Sequence, residues 1–140
     1  MKVAGHRLST AELEDAISQH KLVNECAVVP IPNKLKGQVP VAFLILKHNK
    51  HPSNLEKQIK SHVDKKIGPT ARPSFIYVVN QLPKTRSGKI MRRILKSLLV
   101  NEEPKGLSTL LNPKSVDEIK KIISEKNKGK IKKKSKKNKK

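Results

Sequence analysis

Apolar positions along the chain switch between helical and strand-like periods, and each switch marks an element. Leu13, Ala16 and Ile17 recur at helical spacing behind Ser9-Thr10-Ala11-Glu12, a capping-box pattern. There a hydroxyl accepts from an orphan backbone N–H and the glutamate reaches back, which predicts a helix ending near His20. Glu25 to Ile31 is rich in β-branched residues, and Pro30 and Pro32 place that strand at a sheet edge or end it. A turn over Lys34-Leu35-Lys36-Gly37 leads to a second strand, Val39–Leu46. Ser53-Asn54-Leu55-Glu56 is another capping box; Leu55, Ile59, Val63 and Ile67 follow at every fourth residue until Gly68 and Pro69 stop the helix. Phe75–Val79 reads as a third strand, and Ile90, Ile94, Leu95 and Leu98 as a helix reaching Val100. After a polar stretch, Ser115-x-x-Glu118 opens a short helix bearing Val116, Ile119, Ile122 and Ile123. Strands alternating with capped helices predict an α+β fold: a small open three-stranded sheet with flanking helices. The boundaries follow as a folded domain over 1–100, a linker and short helix over 101–125, and a tail over 126–140.

Composition narrows the core and the compartment. Two Phe and one Tyr are the only aromatics, so the core rests on Val, Ile, Leu and Ala. The single Cys26 has no partner for an internal disulfide; beside Ala27-Val28-Val29 it reads as a buried core thiol. The longest apolar run, Val39 to Leu46, is interrupted by Pro40 and is too short to span a bilayer. No signal-peptide pattern follows Met1-Lys2, so a cytoplasmic protein is expected, with nucleus or organelle as alternatives. His48-x-x-His51 has ligand-like spacing, yet no acid or cysteine accompanies it in that polar loop, and no metal site is expected.

Net charge is +21, and nine lysines lie in residues 127–140 with no acid; removing these nine leaves +12 for the rest. A segment of Lys, Asn and Ser with one Gly and one Ile buries too little to offset ordering entropy, which predicts a disordered tail. Two readings stand for it: a handle for nucleic acid or an anionic membrane, or a solvated extension without a dedicated partner.

The candidate chemistry lies in Pro83-Lys84-Thr85-Arg86-Ser87-Gly88-Lys89, followed by Ile90-Met91-Arg92-Arg93. Glycine permits backbone conformations other residues avoid, and lysine is a compact cation on a flexible stem. At a loop-to-helix junction, Lys89 is placed to meet an anionic reacting group and leave it again. The full string Leu82 to Arg93 resembles the C-terminal signature of the AMP-forming acyl-CoA synthetases, within the acyl-adenylate-forming superfamily, in the version of the acetyl-CoA and propionyl-CoA synthetase branch. Lys2 to Glu14 is similar to the segment after the interdomain hinge in that branch. Cys26 to Pro32, Lys36-Gly37-Gln38 and Ile67-Gly68-Pro69 fall between them in the family's order, so the resemblance covers residues 2–125.

The resemblance implies a C-terminal lid domain that works with Mg-ATP and CoA. In the family a carboxylate attacks the α-phosphate of ATP; the lid then rotates and the CoA thiol displaces AMP. Lys89 matches the catalytic lysine, whose charge would stabilise the first transition state by about 3–4 kcal/mol, the scale of one well-placed donor. Thr85, Arg86, Ser87 and Gly88 would support its loop. In this branch the same lysine is reversibly acetylated, which implies acetylating and deacetylating enzymes as partners. Gly5 matches the glycine beside the pantetheine path, and Arg7 an arginine that contacts nucleotide phosphate. An arginine that meets the CoA 3′-phosphate precedes Ile-Gly-Pro in the family; here Asp64 stands at that place and Lys65 or Lys66 would substitute.

The hinge residue, ribose-binding acid, glycine-rich phosphate loop and acyl pocket of the family belong upstream of Met1. The chain therefore reads as a lid that is incomplete without an N-terminal adenylation domain acting on acetate or propionate. A split-gene half, a truncated gene model and a remnant all fit that reading. The alternative is a basic binding protein that reuses the lid fold and holds nucleic acid or another anionic surface through its tail. Three aromatics are too few for a base-stacking reader, and charge alone supports salt-sensitive, sequence-independent binding.

Overall fold

The computed structural model of the 140-residue chain describes residues 2–3, 6–7, 10–33, 35, 37–49, 51–68 and 72–138, with backbone alone before Thr10, at Asn49 and from Asn127 on. In chain order the elements are β1 (Lys2–Val3), β2 (His6–Arg7), α1 (Thr10–Ser18), β3 (Val23–Asn33), β4 (Gly37–Leu46), α2 (Leu55–Lys66), β5 (Phe75–Val78), α3 (Arg92–Leu99) and α4 (Lys114–Asn138). Short 3-10 turns lie at Lys47–Asn49 and Leu107–Thr109. β1 and β2 pair antiparallel, Lys2 opposite Arg7. The main sheet has the order β3-β4-β5, antiparallel between β3 and β4 and parallel between β4 and β5, with α2 as the crossover. The expected three-stranded α+β fold with flanking helices is what forms.

Both faces of this sheet are covered, which explains why its strands read as nearly continuous apolar runs. Val28, Ala42, Leu44 and Ile76 face α1 and α2, where Leu13, Ile17, Leu55, Ile59 and Val63 are buried. The alternate residues Val29, Val41, Phe43 and Tyr77 face α3 and α4, packing with Leu82, Leu95, Ile119 and Ile123. Phe43 and Tyr77 stack with ring centroids 5.4 Å apart, so two of the three aromatics meet within the sheet. Each fully buried branched side chain contributes about 1.5–3 kcal/mol, so the two layers hold the sheet between them.

The prolines obey the ladder. Val28 directs its N–H away from β4, onto the Glu14 carboxylate at 2.9 Å. Two residues on, Pro30 occupies the same outward row and faces Pro40 across the pair, where neither strand needs an N–H. Pro32 repeats the pattern at the free edge of β3. The carbonyl of Pro40 in turn accepts from Ser74 N–H at 2.8 Å, next to where β5 joins.

Two details differ from the sequence expectations, and a third lies outside the described residues. The helix after Pro52 begins at Leu55 with Asn54 as its N-cap, and the Asn54 side chain accepts from Gln58 instead of capping the backbone. The first capping box lies partly outside the described residues, because Ser9 is not among them. The C-terminal helix does not stop short of a disordered tail: the backbone of α4 stays helical to Asn138. Lysine is a good helix former and no proline follows Pro113, so propensity favours helix past the packed part.

α4 is fastened at Lys126. Its ammonium donates to Glu56 of α2 at 2.8 Å and to the Ile76 carbonyl on the outer edge of β5, and it lies 4.9 Å from the Tyr77 ring centroid. No helix among the described residues is long and apolar enough to cross a membrane.

His20 and His62 join the ends of α1 and α2 with edge-to-face rings 5.0 Å apart. His20 is buried and accepts the Leu22 N–H on Nδ1 at 3.1 Å; His62 Nε2 donates to the Ala16 carbonyl at 2.7 Å. Burial, with His62 and Lys21 adding repulsion, lowers the His20 pKa below its ordinary value. The unfolded chain then binds the extra proton first, so stability falls as pH drops below about 6.5, the unperturbed histidine value. Thermal melting from neutral to mildly acidic pH should show this fall, and His20→Asn, which keeps an acceptor for Leu22, should flatten it.

Candidate functional site

The segment from Leu82 to Arg92 leaves the sheet after β5 and re-enters the fold at α3. Its shape is set by its own backbone: Thr85 N–H donates to the Lys89 carbonyl at 2.9 Å, Gly88 N–H to the Thr85 carbonyl at 2.8 Å, and Met91 N–H to the Pro83 carbonyl at 2.8 Å. Lys84 and Ile90 face one another across a small antiparallel bridge. The Thr85 hydroxyl accepts from Lys89 N–H at 3.2 Å and meets the Ser87 hydroxyl at 2.9 Å. Gly88 has φ +89 with no atom within 4 Å of an added Cβ, so glycine is required by conformation and not by space. The loop is a tight hairpin with Arg86, Ser87, Gly88 and Lys89 exposed at its tip. The Lys89 ammonium makes no ion pair among the described residues.

Three supports hold this hairpin from outside. Asn112 accepts Lys84 N–H on Oδ1 at 3.0 Å and donates from Nδ2 to the Leu82 carbonyl at 2.9 Å, while Leu111 N–H donates to the Lys84 carbonyl at 2.8 Å. Lys84 Nζ pairs with Glu25 Oε1 of β3 at 2.5 Å. Arg92 forms a two-pronged pair with Glu14 of α1, Nε to Oε2 at 2.9 Å with the second prong through Nη2 and Oε1. That hydrogen bonding raises the Arg92 pKa further above its ordinary value.

The other expected site residues fall elsewhere. Gly5 lies outside the described residues, and Arg7 is seen as backbone in β2, paired with Lys2. Lys65 and Lys66 are exposed on the last turn of α2, in the layer opposite α3, so the structure does not gather them with Lys89. Asp64 is held by Arg72, which donates Nε to Oδ1 at 2.6 Å and Nη2 to Oδ2; this hydrogen bonding keeps its carboxyl below the usual range. An open cleft of about 840 Å³ along α2 is lined by Asn54, Lys57, Lys60, Ser61, Asp64 and Arg72, among others. Cys26 is buried, and burial, reinforced by Glu14, pushes its thiol up and away from reactivity. No group of three His, Cys, Asp or Glu among the described residues is placed to hold a metal ion.

Sequence reasoning gave Glu14, Glu25, Arg72 and Asn112 no part in the site. Each acts across a sequence separation that periodicity does not report; for Arg92 and Glu14 it is 78 residues.

An exposed lysine on a braced hairpin, beside a small mixed sheet covered on both faces, defines a domain class. The AMP-binding enzyme C-terminal domain model matches residues 12–89, and the chain belongs to that family. It is 48% identical over 126 residues to an acetyl-coenzyme A synthetase of Pyrobaculum arsenaticum, covering 89% of this chain and 19% of that protein. It is 43% identical over 131 residues to a propionate–CoA ligase of Escherichia coli, covering 89% of this chain and 21% of that one. Among solved structures, a Brucella canis acyl-CoA synthetase superposes with TM-score 0.66 at 35% identity, over 71% of this chain and 18% of that one. An anthranilate CoA ligase in complex with anthranoyl-AMP gives TM-score 0.62 at 41% identity, over 69% and 19%. The chain thus spans about a fifth of the length of the curated relatives it matches.

If Asn112 braces the hairpin, Asn112→Ala should cost about 1–3 kcal/mol, because a part-buried Lys84 N–H loses its acceptor. Asn112→Asp, which keeps that acceptor and loses the donor to Leu82, should cost less. Urea denaturation of both variants measures the difference.

Proposed function

We infer that this chain is the lid of an AMP-forming acid–CoA ligase acting on acetate or propionate, with Lys89 as the cation used in adenylation. The observation that carries the reading is the Lys89 ammonium: exposed, without an ion pair among the described residues, on a hairpin whose backbone is bonded internally at Thr85, Gly88, Lys89 and Met91. A free ammonium on a rigid mount suits the stabilisation of charge gathering on a carboxylate and an α-phosphate, since little reorganisation is needed at the reacting moment. Arg7 and Gly5 would serve the nucleotide and pantetheine.

Lys65 and Lys66 would meet the CoA phosphate. Asp64, at the place of the family's arginine, is neutralised by Arg72 and does not oppose an anion there. Lys57 and Lys60 extend the same positive face along the α2 cleft. Their position in the layer opposite α3 supports a two-conformation lid, one face serving adenylation and the other thioester formation. Acetylation of Lys89 would remove the charge and so silence the first step alone. Such a lid works with an adenylation domain that supplies the phosphate loop and acyl pocket.

The test is complementation. The chain alone should show background acetate-dependent ATP–pyrophosphate exchange, and exchange should appear when an adenylation domain is supplied in trans or by fusion. In that assembly Lys89→Ala should lower exchange by about 100–1,000-fold. Thioester formation from preformed acyl-adenylate should stay close to the unsubstituted level. Equal loss in both half-reactions would refute the assignment of Lys89 to adenylation.

A further inference from the structure

We propose that Glu14 and Glu25 are positioning residues for Lys89, anchoring the two ends of its hairpin to the free edge of β3. The inference rests on the reading of Lys89 as the reacting cation. Residues 83–93 contain Lys84, Arg86, Lys89, Arg92 and Arg93 and no acid. Five like charges on a short hairpin repel, and without counter-charges the loop would splay. The structure answers at both ends of the loop: Glu25 takes Lys84, five residues before Lys89, and Glu14 takes Arg92, three residues after it. Arg86, Lys89 and Arg93 are left without an ion pair among the described residues.

The two anchors differ in strength. Glu14 has a side chain 15% exposed, and its oxygens accept from both prongs of Arg92 and from the Val28 N–H. It is fixed to the sheet as well as to the loop, and a partly buried bidentate pair orients its partners more firmly than a surface one. Glu25 and Lys84, 34% and 28% exposed, form a lighter tie. Both carboxylates stand on one side of the domain, Glu25 on β3 and Glu14 bonded to it, so the hairpin is drawn against a single rigid edge. The reacting lysine is then positioned by groups that never touch substrate.

Two measurements test this. Amide hydrogen exchange on the full chain reads the anchoring directly. In Glu14→Gln the amides of Thr85, Gly88 and Met91 should exchange faster by about tenfold or more, while those of α2 and β4 keep their rates. Glu25→Lys should show a smaller acceleration, and adding Lys84→Glu to it should restore protection by rebuilding the pair. Uniform acceleration across the domain, or none at the hairpin, would overturn the proposal. Should Glu14→Gln unfold the chain, Arg92→Lys, which keeps charge and loses the fork, gives the deciding exchange pattern.

The second measurement uses the assembly with an adenylation domain. Glu14→Gln should lower the turnover of ATP–pyrophosphate exchange by about tenfold to a hundredfold, the cost of slight misplacement, with the KM for ATP nearly unchanged. Thioester formation from preformed acyl-adenylate should be spared, which a merely structural role would not predict. Lys89→Ala run in parallel separates the two failures. If it leaves exchange intact, the reading of Lys89 fails; if it abolishes exchange and Glu14→Gln does not slow it, positioning fails.

Discussion

One carboxylate ties this domain together. Glu14 projects from α1 to the outer row of β3, where Val28 has an N–H that no strand receives, and the same group takes the guanidinium that starts α3. A buried edge N–H left without an acceptor would cost about 1–3 kcal/mol, so the carboxylate is held in place by the sheet as well as by the arginine. Beyond Val28 the edge needs no such partner, because Pro30 and Pro32 occupy the same outward row and have no N–H to satisfy. From Val28 on, the edge of β3 is thereby poorly suited to a further strand and serves as a mount for the helix behind the lysine hairpin.

Burial of both sheet faces has a second consequence. With α1 and α2 on one side and α3 and α4 on the other, the sheet faces themselves are unavailable to a ligand, which leaves edges, loops and the outer faces and ends of helices. The hairpin of Lys89 belongs to the α3 layer and the Lys65–Lys66 turn to the α2 layer. A thin domain that presents distinct cationic groups from opposite layers is physically suited to serve two steps by turning over, with no change of internal packing.

Local signals were legible and distant ones were not. The Lys89 hairpin could be read because its glycine, hydroxyls and cations are consecutive, and the buried stripe Leu13, Ala16, Ile17 because helical periodicity is a local property. The strands were recognisable as apolar runs since both faces are covered. The pairs Glu14–Arg92, Glu25–Lys84 and Asp64–Arg72, and the Asn112 brace, depend on which edge meets which loop, and a single chain carries no periodic trace of that. The C-terminal segment misled for a different reason. Its composition cannot bury surface, which argues for disorder, yet helix propensity needs no burial and α4 runs on past its anchor at Lys126.

The bracing of the hairpin also changes how its lysine would reach a substrate. Exposure, a glycine and a flexible stem suggest a loop that arrives and departs by itself. Yet the backbone from Pro83 to Met91 is bonded internally, latched by Asn112 and Leu111, and ion-paired at Lys84 and Arg92. Moving the loop alone would break several of these contacts together, whereas rotating the whole domain breaks none. On the proposed reading, a motion that delivered Lys89 to a phosphate would then be a rigid-body one, its pivot outside residues 83–92. Such a lysine would be swung into place by its domain, with the precision of the β3 edge to which the proposed anchors tie it.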